Sequence, residues 1–269
     1  MKTEPATTAE EVLPDQLMRW GCQFLTMLLF LLAPIASSGC FYDDFSPRPD
    51  KTDEKRLGTG VDNWNAWRAK SGSQAGDLSR SDLSGMDLTG ANLSKTRFHG
   101  NWTNSRFRSN MNGTVLRDAN LCKAKVSYCL LVKADLSGAV LRDASIGFSD
   151  LTGANLRNVD ARDAWFRESN LSGAILTGAD FSKADFGRAN LTGAQLSGVD
   201  LTGADLTMAD LTDVTEWKAI KSIKCANIYG VQAPYAFKKW ALDNGALEYD
   251  NYRELRWSEF RDACLDDLD

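Results

Sequence analysis

The chain has 269 residues, 31 basic and 36 acidic, with a net charge of −5 and a single histidine, His99. That balance supplies no basic stripe for direct nucleic-acid binding, and one histidine builds neither a hydrolase triad nor a multi-histidine metal site. Without a Gly-x-x-x-x-Gly-Lys-Ser/Thr phosphate loop or a Cys-x-x-Cys pair, no catalytic, cofactor-binding or metal-binding residue is assigned. The chain reads as a non-enzyme with no cofactor and no evident small-molecule substrate.

Residues 1–40 read as a signal or membrane-anchor segment. Residues 20–42 carry no charge, and Phe24 to Ala33 is a dense apolar run ending in Ala36-Ser37-Ser38-Gly39-Cys40, a pattern of export or membrane insertion. Counted from Met1 the flank before this run is acidic. Counted from Met18 it is basic, so translation is expected to start at Met18 and the signal to end at Gly39. The small residues before Cys40 resemble the lipobox of bacterial lipoproteins, which implies that Cys40 is lipidated. Ser37 departs from that motif, and an uncleaved anchor or plain secretion are the other readings. Residues 41–60, rich in Asp, Pro, Lys and Gly, are expected to form a flexible tether, which places the chain in the cell envelope, facing outside the cytoplasm.

Residues 61–75 are expected to form an N-terminal cap. Asp62-Asn63-Trp64-Asn65-Ala66-Trp67-Arg68 reads as a short helix with Asp62 as its N-cap and two Trp residues three apart on one side.

From 76 to 213 the chain keeps a five-residue beat, as in Ala134-Asp135-Leu136-Ser137-Gly138. Leu or Phe recurs at the centre, usually with a small residue two positions earlier, Asp or Asn just before the centre and Gly often fifth. A period of five fits neither a helix nor a flat strand, but it suits a coil that turns a corner once per unit, since Asp, Asn, Ser and Gly favour turns. Repetition this strict specifies a stacked architecture. The pattern resembles the pentapeptide-repeat family, written Ala-Asp/Asn-Leu-x-x. The resemblance implies an all-β solenoid: a right-handed quadrilateral parallel β-helix with about twenty residues per coil.

Two features of the repeat stand out. Phe98 and Met111 are 13 residues apart, so residues 99–108 are expected to bulge as an irregular loop, either a tolerated insertion or a projecting binding loop carrying Trp102 and Phe107. On one of the four faces, Tyr128, Phe148 and Trp165 occupy outward positions on successive coils. Three such rings form a candidate partner-binding patch; the alternatives are that they pack beneath the C-terminal helices or stack on one another.

Residues 214–269 are expected to form a helical C-terminal cap: an irregular last coil, a helix opened by Pro234 and stopped at Gly245, and a second helix from about 251 to 265 with Tyr252, Leu255, Phe260 and Cys264 inward. In an oxidising compartment Cys225 and Cys264 could form a disulfide; two free thiols are the alternative. Cys129 is expected to point inward and Cys122 outward.

These readings converge on a membrane-tethered scaffold or protein-binding module. Some family members bind gyrase by imitating DNA, which implies a cytosolic rival reading, but residues 76–213 hold 16 acidic and 15 basic side chains, poor material for an anionic surface. A purely structural spacer is the third reading. A homodimer is compatible with the sequence, and the identity of a protein partner is not encoded in it.

Overall fold

A computed structural model describes residues 52–70, 76–98, 108–249 and 257–266, and in it each five-residue unit performs two tasks. The first is a hydrogen-bonded rung. Leu136 donates its N–H to the Asn155 carbonyl at 2.8 Å, and Asn155 donates back to the Ala134 carbonyl at 2.9 Å, so Asp135 is bridged in parallel to Asn155, twenty residues on. The second is a corner. Ala139 closes on the Leu136 carbonyl at 2.9 Å, with the intervening Gly138 at φ +71°. A positive φ at the third residue of a four-residue turn marks type II geometry. Four corners per twenty-residue coil give a four-sided parallel solenoid, each side bridged at a single residue instead of along an extended strand.

The corner accounts for the fifth position. Glycine enters the left-handed region without strain, yet Lys133, Asp143, Tyr128 and Phe148 hold φ of +56°, +56°, +60° and +58° there. A side chain at such a position costs about 1–2 kcal/mol, and the rungs before and after it hold the backbone in place.

The centre points inward and is buried along the whole coil, as is the usually small residue two before it, with Met86 the half-buried exception. Each fully buried Leu contributes roughly 1.5–3 kcal/mol, while the small residue lets the chain approach the axis. Leucine gives way to aromatics in one place. Phe166, Phe181 and Phe186 pack ring on ring at centroid distances of 5.5, 5.1 and 5.1 Å. Ala161 lies on the coil between Leu141 and Phe181, since the N–H groups of Leu141 and Ala161 reach the Asp160 and Asp180 carbonyls. Its small side chain leaves room for these rings.

Two insertions interrupt the beat without changing the ladder. Asp82 bridges Asn110 and Arg97 bridges Lys125, 28 residues apart instead of 20, so eight extra residues are accommodated at one corner. Trp102 and Phe107 of that loop lie outside the described residues. Near the other end Asp200 bridges Ser222 across 22 residues, the two extra ones falling at the 3-10 turn Trp217–Ala219.

Helix α1, Thr52–Gly58, and helix α2, Val61–Lys70, precede the coil. Two expectations are corrected here. Residues 52–58, assigned to the tether on composition, are helical: Asp53 is bound by Arg56 and accepts the Asp77 N–H at 2.9 Å. Asp62 lies inside the first turn of α2 and is not its N-cap. The side chains of α2 take up backbone groups that the first coil has no neighbour to satisfy. Trp64 donates to the Asn92 carbonyl at 2.8 Å, Asn65 donates to the Gly90 carbonyl at 3.1 Å and accepts the Asn92 N–H at 2.8 Å, and Arg68 donates to the Ser94 carbonyl. The Trp64 ring presses so close to Gly76 that a Cβ there would lie 2.9 Å from it.

At the other end the last coil is paired by residues 245–247, with Ile228 N–H on the Leu247 carbonyl at 2.7 Å. Helix α3, Tyr235–Asp243, is preceded by Pro234. It ends in a Schellman motif, Gly245 donating to the Leu242 carbonyl and Ala246 to that of Ala241. Its Phe237 and Trp240 pack with Trp217 at centroid distances of 5.8 and 5.6 Å. Helix α4 spans Trp257–Asp266; Tyr252 and Leu255 of the expected segment, and the side chain of Phe260, lie outside the described residues. Among the described residues no helix is long and apolar enough to cross a membrane; residues 1–51, with Cys40, are not among them.

Candidate functional site

Following one face down the coil, the residue before each centre runs Lys125, Ser145, Trp165, Asp185, Asp205 and Asn227, each bridged to the next. The residue after each centre runs Ser127, Gly147, Arg167, Gly187 and Thr207. Gly147 and Gly187 are the only glycines at that position in the repeat, and both lie on this face.

The structure brings Tyr128, Phe148 and Trp165 together. The first two occupy corner positions on successive coils and stack with centroids 4.9 Å apart and planes 4° from parallel. Trp165 meets Phe148 edge-on at 5.7 Å. All three are half-buried, because the rings cover one another instead of standing free. Gly147 makes this possible: a Cβ there would lie 2.5 Å from the Trp165 ring. Gly187 likewise gives way to Arg167, whose guanidinium would lie 2.6 Å from a Cβ at that position.

The ladder continues into two stacked carboxylates. Asp185 accepts the Gly187 N–H at 2.7 Å, with Arg167 3.9 Å away and the Trp165 indole also favouring its charged form. Burial, then repulsion from Asp205, push its pKa up to about 6 against these favourable contacts. Asp205 is only 7% exposed and is held by the N–H and hydroxyl of Thr207. Below it Asn227 is fully buried, bonded to Thr207 and to the backbone of Tyr249. The repeat pattern marks the three rings but not Gly147, Gly187 or the Asp185–Asp205 pair. The two glycines carry a legible signal, since Ser, Thr or Arg usually fills their position.

Elsewhere, the Sγ atoms of Cys225 and Cys264 are 2.05 Å apart, linking the last coil to α4. Arg261 and Leu265 of α4 lie against the corner at Gly203. Cys129 is buried with its Sγ 2.8 Å from the Phe98 carbonyl oxygen, and Cys122 is half-buried on the outside. Among the described residues no group of His, Cys, Asp and Glu is arranged to hold a metal ion.

The family model described as pentapeptide repeats matches residues 74–100 and 107–215 in 8 copies. Solved structures similar to the chain include HetL, a pentapeptide repeat protein involved in heterocyst differentiation regulation in the cyanobacterium Nostoc, with 25% identity over 62% of this chain and 77% of that one, at a TM-score of 0.38. A pentapeptide repeat protein from the Arabidopsis thaliana thylakoid lumen shares 32% identity over 45% of this chain and 68% of its own, at 0.25. Full-length QnrB1, a plasmid-mediated fluoroquinolone resistance protein, shares 18% identity over 63% of this chain and 95% of its own, at 0.29. No curated protein matches the chain.

Proposed function

On the premise that the chain belongs to the pentapeptide-repeat family, we propose that it is a non-enzymatic binding scaffold, held at a membrane outside the cytoplasm by its N-terminal segment. Helices α1 and α2 at one end and α3 and α4 at the other serve as caps that prevent end-to-end addition of coils. The face of Tyr128, Phe148 and Trp165 receives a protein partner. The observation that carries this reading is the contact ladder of the three rings, seated on a glycine floor on an otherwise polar repeat. Aromatic rings of this kind are favoured as interface anchors, because they offer broad rigid area at small entropic cost.

The test replaces both Tyr128 and Phe148 with Ser. A variant with unchanged circular dichroism that no longer captures the partner retained by the wild type from envelope extracts supports the reading. Undiminished capture by a folded variant overturns it. The envelope location has its own check, the intact mass of the membrane-extracted protein: a mature N-terminus at an acylated Cys40 supports it, and an unprocessed chain in the soluble cytosol removes it. The gyrase-binding alternative requires an acidic face, which a repeat of 16 acidic and 15 basic residues does not favour.

A further inference from the structure

Among the described residues the only exposed large apolar side chains are Tyr235, 80% exposed, and Leu242, 44% exposed. Both belong to α3, and at seven residues apart they lie about 20° from each other around the helix. Lys238 and Lys239 fall within the same face. The opposite face holds Phe237 and Ala241, both buried. Helix α3 is thus amphipathic in two senses: one side closes the last coil, and the other presents a ring, an aliphatic chain and ammonium groups to solvent.

More positive charge surrounds this helix. Lys218 sits over the Trp217 ring at 5.3 Å, and that ring packs on Trp240 of α3. Lys224 lies beside Gly245, just past the helix end. Of the five lysines between 218 and 239, Lys221 is paired with Asp200 and Lys239 with Asp243. Lys218, Lys224 and Lys238 meet no carboxylate among the described residues.

We propose that the outer face of α3 docks on an anionic lipid surface, Tyr235 and Leu242 entering the headgroup region while Lys218, Lys224 and Lys238 meet lipid phosphates. Two apolar side chains fall far short of the roughly 800 Å² that each partner of a stable protein complex buries. A bilayer needs only a shallow apolar insertion together with basic charge. The proposal extends the membrane location given above but uses the opposite end of the chain. Attachment through the N-terminal segment is indifferent to lipid charge and salt, whereas docking through α3 responds to both, so the two fail separately.

The experiment measures co-sedimentation of the full chain with vesicles of phosphatidylcholine alone and of phosphatidylcholine with phosphatidylglycerol, at low and high salt. Wild type should bind the anionic vesicles about tenfold or more tightly at low salt, at about 1 kcal/mol for each lysine near the surface, and lose this preference at high salt. Lys218→Gln/Lys224→Gln/Lys238→Gln should abolish the preference, and Tyr235→Ser/Leu242→Ser should weaken it while circular dichroism stays unchanged. Equal binding to both vesicles, or a preference retained by the folded lysine variant, overturns the proposal. So does equally tight, equally salt-sensitive binding to duplex DNA, which would show a general polyanion surface.

Discussion

Along the column Val140, Asp160, Asp180 and Asp200, carboxylates meet cations, whereas along Ser145, Trp165, Asp185 and Asp205 they meet a ring and each other. The backbone is the same in both, a bridge and a left-handed corner every five residues. On the first column Asp160 receives Arg142 at 2.6 Å and Arg162 at 2.9 Å. Burial alone would raise its pKa, but these bonds outweigh it and hold the carboxyl at about 2. On the second column burial and the neighbouring Asp205 prevail, and Asp185 stands at about 6. The row beside each column shapes the outcome: Arg142 and Arg162 bond Asp160 directly, whereas on the other face Arg167, between Gly147 and Gly187, stays 3.9 Å from Asp185. A repeat that looks uniform in sequence thus carries one face where a carboxylate is held by two directly bonded arginines and one where a carboxylate has a single, more distant arginine and another carboxylate beside it.

The deepest way to break this contrast is from inside. Phe181 packs against Phe166 and Phe186, the latter two being centres on the ring-bearing face. Phe181→Ala should cost about 3–5 kcal/mol through the cavity it leaves, read as a lowered denaturant midpoint. An unchanged midpoint would mean that the rings do not share one packed layer.

A smaller effect sharpens the contrast at the surface. Gly147→Ala drives a Cβ into the Trp165 ring and to within 2.8 Å of the Arg167 carbonyl, neither of which yields easily, so a loss of about 1–3 kcal/mol and a shift in tryptophan emission are expected. Gly187→Ala chiefly meets the flexible tip of Arg167 and should cost less. The reverse ranking would contradict the seating of the indole.

The smallest effects are those of pH, and their signs are opposite. Asp160 has a folded pKa below the ordinary 3.8 of an aspartate; its contribution is present above that value and lost as pH falls toward about 2. Asp160→Asn should therefore remove on the order of 1–2 kcal/mol at neutral pH, the pair being partly exposed. Asp185 has a raised folded pKa, so its contribution is complete below about 4 and lost as pH rises through about 6. Asp185→Asn should flatten the decline in stability between about pH 4 and pH 6. A decline that persists in this variant would assign it to other groups.

Much of the fold is legible in the sequence, for a physical reason. A five-residue period with one apolar centre marks the inward positions and a corner in each unit, as in the spacing of Leu136 and Leu141, while the four-sided coil of about twenty residues is what the resemblance to the pentapeptide-repeat family adds. The corner conformation is less legible, because Lys133 and Phe148 enter the left-handed region under the constraint of rungs on both sides and not by preference. Helix α1 is hidden by composition: 52–58 reads as polar tether until Asp53 is seen binding the Asp77 amide. The glycine floor is marked in the sequence only by the missing side chains of Gly147 and Gly187, and what fills that space, the Trp165 ring and the Arg167 guanidinium, comes from a neighbouring coil.

The two insertions carry a separate lesson. In a flat sheet, adding one residue moves every later side chain to the wrong face. Here eight residues enter after Phe98 and two near Trp217, yet the columns on either side remain aligned. Alignment is restored afresh on each circuit by contact with the coil beneath, so an irregularity is local in its consequences, like a dropped stitch that the next row closes over. Length can vary at a corner while the ladder keeps its count, and at such corners the molecule is open to new loops without being rebuilt.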